Sequence, residues 1–439
     1  MTTQPHSPNP LSKRVLIIGY YFVDPNMGGV RIRRISRLLP RHGWEPVVLT
    51  HPRDGGSVPG EPNDPQVEAV AALDLTRVYE RFRRLARRPK SRVQPGGAEL
   101  KAKNIALTSE INRWLMVPDK QVTWYRAALR RGRELLGNGK FSAIFASLDP
   151  RTSLLVAARL SKETGVPCVL EYRDLWIGIP YYHLAQPTPI HRWLHRRLER
   201  KVVRQARMVS AVCLGIKDYL SRAHTDILQS PVELNYNFFD PAEYPPAPVS
   251  HDARPFTVSY AGAIHTSRNP RHFFEGMRAF IDRSGLTPAQ FRFRWAGGAS
   301  GITDLAEVLE RTAIRPYLDF LGQIPHRDAL ELLIQSDAAL LIQSPDDTIH
   351  IPGKLFEAMG ARVPLLALSD PCETSEIINR CRAGLVCAHT AEAVAAGLME
   401  FHQLSRAKKK WEFNEEEVQR FSADNAIARL ADTLNRACA

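Results

Sequence analysis

The stretch DAALLIQSPDDTIHIPGKLFEAMGARVPLLAL, residues 337–368, contains the pattern that decides the fold. It starts and ends with short apolar runs, which predict buried β-strands, and a loop and a short amphipathic helix lie between them. Lys354 and Glu357 share one face of this helix because they are three residues apart, and Phe356 lies on the apolar face. A cation in the first turn opposes the helix macrodipole, at a cost of roughly 0.3–1 kcal/mol, unless an anion binds there. The stretch therefore predicts an anion site at the start of the helix.

The same alternation of strands and helices runs along most of the chain. Several of the strands are continuous apolar runs, as expected for parallel strands covered by helices on both faces. The sequence therefore predicts an α/β fold with two Rossmann-like β/α/β domains. The predicted strands are 14–22, 45–50, 141–148, 167–172, 208–214, 232–237, 256–262, 291–297, 317–322, 337–343, 364–368 and 384–388; helices are predicted at 29–42, 122–136, 151–164 and 190–206.

A Pro-rich segment interrupts both periodicities near the middle of the chain and predicts an interdomain linker. Ligands of open α/β sheets bind beyond the carboxyl ends of the strands, so we expect the ligand in a cleft between the two domains. Residues 51–121 fit the alternation poorly and are interpreted as an elaboration of the first domain. The predicted divisions are a disordered start (1–13), a first domain (14–240), a linker (241–255), a second domain (256–404) and a C-terminal helical segment that packs back on the first domain (405–439).

The composition is that of a globular protein, with 44% hydrophobic residues and 24% charged residues in 439. No apolar run reaches the length of a membrane span. The six cysteines form no CxxC pair, which suits reduced thiols in a cytosol. The net charge of +13 belongs to the first part of the chain: residues 1–250 hold 38 Lys and Arg against 22 Asp and Glu. Nucleic-acid binding would also suit this charge, but no RNA- or DNA-binding signature accompanies it.

Two basic stretches are candidates for contact with anionic partners. Seven of the twelve residues in RFRRLARRPKSR (81–92) are cationic. Residues 76–92 have the pattern of an interfacial helix on an anionic membrane, and the alternative is a solvated arginine face. The second stretch, residues 191–207, has an apolar stripe that favours core packing: Trp193, Leu194, Leu198 and Val202.

Polar and glycine-rich motifs follow several of the predicted strands. Gly28 and Gly29 open a helix after the first strand, where free amide groups favour anions, although a simple turn is the alternative. EYRDLW (171–176) ends another strand, either as a surface ion pair or as a substrate-facing group. In the second domain, YAGAIHTSRNP (260–270) carries a cation before a helix, and FLGQIPHRDAL (320–330) carries a glycine turn.

These motifs, taken in order and spacing, resemble glycosyltransferase family 4, the retaining nucleotide-sugar enzymes with the GT-B fold. The similarity covers roughly residues 14–404 and rests on GYYFVDPNMGGVRIRR, GVPCVLEYRDLW, YAGAIHTSRNP, FLGQIPHRDALELLIQSDAALL and IPGKLFEAMGARVPLLAL. The resemblance implies two Rossmann-like domains whose parallel sheets face each other across a cleft. It also implies that the second domain binds the donor and the first binds the acceptor.

The resemblance assigns roles to individual residues. It implies that Lys354 and Arg268 bind the donor diphosphate and that Glu357 accepts hydrogen bonds from the ribose hydroxyls. It further implies that the Gly28–Gly29 loop closes over the phosphates. The remaining candidates are Gly322 and Ile324 for the nucleotide, Asp346, Asp347 and His350 for the donor sugar, and Asp174, Arg173 and Glu171 on the acceptor side.

Two positions depart from the family pattern. Many members have a glutamate where this chain has Ile349, and many have a histidine at the strand end where this chain has Tyr172-Arg173-Asp174. We expect Asp174 to orient the acceptor hydroxyl or to stabilise the oxocarbenium ion, with Glu171 as the second candidate. In family members of this type the leaving phosphate takes the acceptor proton, so a separate base is not required.

The resemblance, together with the basic first half, thus implies metal-independent, retaining transfer of a sugar to a cell-envelope, polysaccharide or lipid-linked acceptor. No cofactor is expected, and a UDP- or GDP-sugar is the substrate. The expected location is the cytoplasm, with peripheral contact at the inner face of the cytoplasmic membrane. Two alternatives stay open: a sugar epimerase of the GT-B fold, and an inactive nucleotide-sugar-binding protein at the membrane surface.

Overall fold

The computed structural model describes residues 13–24, 27–52, 65–72, 117–177, 188–246, 254–300 and 305–439, and every structural statement below refers to these residues. They fall into two compact units. The first unit takes residues up to 212, then 216–234 and 430–439; the second takes 213–215 and 235–429.

The first unit is built on a seven-stranded parallel sheet. The strands are β1 (Lys13–Ile18), β2 (Trp44–Thr50), β3 (Gln66–Ala69), β4 (Ala143–Ser147), β5 (Cys168–Tyr172), β6 (Met208–Ala211) and β7 (Glu233–Leu234). Their order across the sheet is β3-β2-β1-β4-β5-β6-β7, so the chain reverses direction across the sheet between β1 and β4. The helices are α1 (Met27–Leu38), α2 (Tyr125–Asn138), α3 (Arg151–Thr164), α4 (Pro189–Gln205) and α5 (Leu214–Ala223).

The second unit is built on a six-stranded parallel sheet and a small two-stranded ribbon. The strands are β8 (Phe256–Ala261), β9 (Ile264–His265), β10 (Phe291–Ala296), β11 (Ala299–Ser300), β12 (Leu318–Gly322), β13 (Ala338–Ile342), β14 (Leu365–Leu368) and β15 (Gly384–Cys387). The sheet order is β12-β10-β8-β13-β14-β15, and β9 pairs with β11. The helices are α6 (Arg271–Ser284), α7 (Leu305–Thr312), α8 (His326–Ile334), α9 (Gly353–Ala361), α10 (Glu373–Cys381), α11 (Ala391–Arg406), α12 (Glu415–Gln419) and α13 (Ala423–Cys438), whose last residues belong to the first unit.

Strand β13 shows why continuous apolar runs form these sheets. Its residues are all buried, and successive side chains point to opposite faces. Leu340 and Ile342 join the cluster under α6 and α11, whereas Ala339 and Leu341 join the cluster under α9 and α10. Every position of the strand is therefore apolar because both faces of the sheet are covered.

The predicted strands are confirmed. β1 and β2 each begin one residue earlier than predicted, β1 ends four residues earlier, and the other strands are shorter than predicted by one to three residues at an end. Three short strands were not predicted. β3 lies in the region interpreted as an elaboration and is half exposed, so it has no apolar run. β9 and β11 have only two residues each, too few for a periodic pattern.

The apolar stripe predicted for residues 191–207 is wrong at Trp193, which lies on the exposed side of α4. The buried residues of the helix are His191, His195, Glu199, Val202 and Val203, whereas the side chain of Trp193 is 54% exposed. The core-facing side of α4 is thus largely polar. Apolar spacing misidentified it because a hydrogen-bonded histidine can replace an aliphatic core residue.

Several predictions fall wholly or partly outside the described residues. These are the basic stretch 76–92, the disordered start and residues 247–253 of the linker. The described part of the linker packs in the second unit, where the Tyr244 hydroxyl donates to the carbonyl of Glu357 at 3.0 Å. None of the helices that the structure describes is long and apolar enough to cross a membrane.

The turn between β1 and α1 depends on Gly29 and not on Gly28. A Cβ on Gly29 would overlap the carbonyl oxygens of Tyr21 and Asp24, while a Cβ on Gly28 would make an ordinary contact with the Tyr21 ring. We expect Gly29→Ala to destabilise the first unit by about 1–3 kcal/mol and Gly28→Ala to leave its stability nearly unchanged. Urea unfolding of both variants measures this, and equal stability of the two would contradict it.

Candidate functional site

The candidate donor site lies at the carboxyl ends of β8 and β13 in the second unit. These two strands are neighbours. After β8 the chain continues toward one edge of the sheet, to β10, and after β13 it continues toward the other edge, to β14. Such a switch point leaves a crevice beyond the strand ends, where ligands of open α/β sheets bind. The residues after β8 include Gly262 and Arg268, and the helix after β13 begins next to Lys354.

Lys354 lies in the first turn of α9 and extends over the end of β8. Its Nζ is 5.3 Å from the centre of the Tyr260 ring, within range of a cation–π contact. Gly262 makes room for it, because a Cβ at that position would overlap the Cε and Nζ atoms of the lysine. Among the described residues, Lys354 forms no salt bridge. The ammonium is therefore held in place by an aromatic face and a backbone gap.

A second cation, Arg268, contributes to the positive potential at this site. Burial lowers the pKa of the Lys354 ammonium; Glu357 raises it and Arg268 lowers it further. Burial also lowers the pKa of His265, and the charges of Arg268 and Lys354 lower it further. Arg268, like Lys354, has no salt bridge to any described residue. Within the described part of the chain, two neighbouring cations thus have no carboxylate at salt-bridge distance, which is the arrangement of an anion site.

Glu357 is one turn after Lys354 and contacts a histidine. Its Oε1 is 3.0 Å from Nε2 of His326, the first residue of α8, and the Glu357 side chain is 15% exposed. The histidine holds one carboxylate oxygen, so the other can accept from a ligand. A small cavity between these helices is lined by Lys354 and Glu357 together with Ala261 and Ala329.

The three predicted donor-sugar residues lie in the loop after β13 and differ in exposure. His350 Nδ1 is 2.7 Å from Oδ1 of Asp347, and both residues are largely buried. Burial raises the pKa of Asp347, but the hydrogen bond from His350 brings it below the ordinary value. Asp346, by contrast, is exposed. The Ile349 side chain packs closely against Gly215, because a Cβ at that glycine would overlap it. Ile349 therefore fills space next to Gly215.

Three glycines end the adjacent strands β8, β10 and β12. The amide of Gly262 donates to the carbonyl of Ala296 at 2.6 Å, and the amide of Gly297 donates to the carbonyl of Gly322 at 2.6 Å. Gly297 and Gly322 have φ angles of 136° and 67°, which favour glycine. The backbone at this edge is therefore compact, and the half-buried Ile324 follows it in the loop before α8.

In the first unit, the structure brings Arg173 to the first turn of α1, which carries Gly28. The guanidinium donates to the carbonyl oxygens of Leu148 at 2.5 Å, Gly28 at 3.2 Å and Asp149 at 3.3 Å. These carbonyls follow β1 and β4, the two strands at this sheet's switch point. Arg173 thus links the first turn of α1 to the residues that follow β4.

Glu171 is fully buried beneath this edge and is part of an ion pair. Arg31 contacts its two carboxylate oxygens at 2.5 and 3.0 Å, and the Ser147 hydroxyl donates to it at 2.7 Å. Burial raises the pKa of Glu171, but Arg31 and Ser147 together lower it below the ordinary value. Removing one partner of such a buried pair is costly, which makes Glu171 a residue that fixes the strand ends.

Acidic groups line the same edge of the first unit. Burial raises the pKa of Asp149 to about 6; Asp174 and Asp119 raise it further, while Arg151 and Arg173 lower it. Asp119 is held by Thr152, whose amide and hydroxyl donate to it at 3.0 and 2.6 Å. Asp149 and Asp174 therefore lie near each other at this edge, because the charge of Asp174 raises the pKa of Asp149.

The structure brings together residues that the sequence separated by up to 145 positions, and it adds some that the motifs did not single out. His326 and Gly262 lie inside the quoted motifs, so their positions beside Gly322 and Arg268 were a usable signal. Asp149 lies outside the quoted motifs and Arg31 lies inside one, but neither role could be found, because both depend on which strands are neighbours. The described residues contain no cluster of three or more His, Cys, Asp or Glu that could hold a metal ion.

Comparison with known proteins finds one domain model and several solved structures that resemble the chain. Residues 28–229 match the model of the glycosyl transferase 4-like domain. No curated protein is significantly similar to the chain in sequence. The solved structures below are 12–15% identical to it, which shows the fold alone.

Three of these structures align over nearly the whole chain. Sucrose-phosphate synthase from Thermosynechococcus elongatus has a TM-score of 0.63 at 15% identity, over 97% of this chain and 98% of that one. Anabaena HepE, solved with UDP and glucose, has a TM-score of 0.61 at 14% identity, over 97% and 100%. The lipopolysaccharide outer core galactosyltransferase WaaB has a TM-score of 0.52 at 12% identity, over 96% and 99%.

The domain match covers most of the first unit, and both units have the predicted parallel sheets. The chain is therefore a glycosyltransferase of the GT-B fold, with a glycosyl transferase 4-like domain at residues 28–229.

Proposed function

We propose that this glycosyltransferase transfers a sugar from a nucleotide diphosphate donor to a saccharide or lipid-linked acceptor of the cell envelope, with retention of configuration and without a metal ion. The observation that carries the proposal is the pair of cations, Lys354 and Arg268, which lack a carboxylate partner among the described residues. The diphosphate would supply the missing negative charge. Of the two donor classes expected, UDP-sugars have the additional support of HepE, whose structure holds UDP and glucose.

The second unit would hold the donor by four kinds of contact. Lys354, Arg268 and the first amides of α9 would bind the diphosphate, because a helix N-terminus and two cations stabilise phosphate oxygens. Glu357 would accept hydrogen bonds from the ribose hydroxyls. The turn at Gly322 and Ile324 would contact the base, and Asp347 with His350, or the exposed Asp346, would contact the sugar.

The reaction needs charge stabilisation at the departing diphosphate. The bond between the anomeric carbon and the phosphate oxygen breaks, and the acceptor oxygen bonds to the same face of the sugar. The leaving phosphate oxygen takes the acceptor's proton. Lys354 and Arg268 would stabilise the charge that develops on the diphosphate, as a bound metal ion does in other transferases.

The first unit would bind the acceptor. Asp174 is our candidate for orienting its hydroxyl, with Asp149 beside it. Arg173 and Glu171 would position the neighbouring backbone and would not touch the substrate. Arg173 links the first turn of α1 to the residues after β4, and Glu171 is buried against Arg31. The name of WaaB, a lipopolysaccharide outer core galactosyltransferase, supports an envelope saccharide as the acceptor. The inner face of the cytoplasmic membrane is the location we propose, on the strength of the basic first half.

Removal of either cation tests the donor site. We expect Lys354→Ala and Arg268→Ala each to weaken UDP binding by about 10- to 100-fold, because each loses a charged hydrogen bond to phosphate. Lys409→Ala removes an exposed lysine of the same unit and is the matched control. Titration calorimetry measures affinity, and thermal unfolding verifies that each variant is folded. Unchanged affinity in both site variants would refute the proposal.

The lowered pKa of Lys354 predicts a pH dependence of donor binding. The diphosphate needs a protonated lysine, so binding is complete below that pKa and is lost as the pH rises through it. Because the pKa lies below 10.5, this loss should begin at a lower pH than for an exposed lysine. Lys354→Arg should remove the alkaline loss, since a guanidinium stays charged over this range. The same alkaline loss of UDP affinity in both proteins would contradict the assignment.

The contact between His326 and Glu357 predicts that substitutions of these two residues have coupled effects on UDP affinity. We expect His326→Ala and Glu357→Gln each to weaken UDP binding, and the double variant to be no weaker than the worse single variant. This corresponds to a coupling energy of about 1 kcal/mol. His326→Gln should recover part of the loss, because it keeps an N–H donor. Fully additive losses in the cycle would show that His326 does not act through Glu357.

A further inference from the structure

Helix α4 has an exposed face that the proposed reaction does not use. Trp193 and Ile190 are 54% and 58% exposed, so two large apolar side chains less than one turn apart face solvent. Arg197, Arg200 and Arg204 follow Trp193 at helical spacings of four, seven and eleven residues, so they lie along one line of the helix. Ile190 precedes Trp193 by almost one turn on the same side.

The opposite face fixes the helix against the first unit. The Trp176 indole donates to Nδ1 of His195 at 3.0 Å, and the Tyr219 hydroxyl donates to the buried Glu199 at 3.1 Å. Burial lowers the pKa of His195 to about 4, and Arg151 and His191 lower it further. His195 on the inner face is therefore neutral at neutral pH. The orientation of the outer face is set by these buried contacts.

The exposed side chains of α4 that carry a charge are cations. The cations of α4 are Arg192, Arg196, Arg197, Arg200, Lys201 and Arg204. In the described part of the chain only Arg200 of this set forms a salt bridge, with Asp226. Arg197 lies over the Trp193 ring at 5.4 Å. Like charges four residues apart destabilise a helix, so an anionic partner would relieve this repulsion.

We propose that this face of α4 docks on the surface of an anionic lipid bilayer. The arginines would contact lipid phosphates, and Trp193 and Ile190 would enter the boundary between headgroups and acyl chains. The aliphatic Ile190 favours lipid over nucleic acid or glycan, since it offers neither a stacking surface nor a hydrogen bond. This proposal does not depend on the donor site, because lipid binding is measured without nucleotide.

Vesicle flotation of the full-length protein tests the electrostatic part. We expect binding to phosphatidylcholine vesicles containing roughly one-third phosphatidylglycerol and little binding to phosphatidylcholine alone. Arg197→Gln with Arg204→Gln should reduce the partition coefficient by about 25-fold, at about fivefold for each arginine near the surface. The control replaces Arg126 and Arg130 on α2, which are also exposed, and should change binding by less than about twofold.

The apolar part has its own test. Trp193→Ser should weaken binding to the mixed vesicles and Trp193→Phe should retain most of it, with thermal unfolding showing that both variants are folded. Absence of vesicle binding, or equal losses in the α4 and α2 variants, would overturn the proposal. Tighter binding of the wild type to poly(U) RNA than to vesicles, lost in the α4 variant, would assign the face to nucleic acid and overturn it as well.

Discussion

Two cations that form no salt bridge with any described residue, Lys354 and Arg268, are the feature on which the account of this protein depends. A buried charge is stable only when it is paired or hydrogen-bonded, and burial has already lowered the pKa of the lysine. The protein holds the lysine over Tyr260, through a gap that exists because residue 262 is a glycine. Such an arrangement leaves electrostatic free energy to be gained when a diphosphate binds, and more when its charge grows as the sugar departs.

The two carboxylates near these cations are already engaged. Glu357 contacts His326, and Asp347 contacts His350. Had either acid turned to Lys354 or Arg268, an internal salt bridge would have occupied the anion site. The histidines therefore contact one oxygen of each acid, while the charges of the acids and the cations still act on each other: Glu357 raises the pKa of Lys354, and Arg268 lowers that of Asp347.

Much of this could be predicted from the sequence, and the exceptions have physical reasons. The strands were visible because β13 and its neighbours are apolar on both faces, whereas β3 is half exposed and has no such pattern. Lys354 and Glu357 were found because helical spacing is local. The contact of Arg31 with Glu171 could not be found, because it depends on the neighbouring positions of β1, β4 and β5 in the sheet. Trp193 was placed in the core because spacing alone cannot show that histidines fill the inner face of α4.

A crystal structure of the protein with UDP bound tests the central claim most directly. The account predicts phosphate oxygens at about 3 Å from Lys354 Nζ and from the Arg268 guanidinium, with ribose hydroxyls donating to Glu357. A diphosphate bound elsewhere, with Lys354 still over the Tyr260 ring and no ligand beside Arg268, would contradict it.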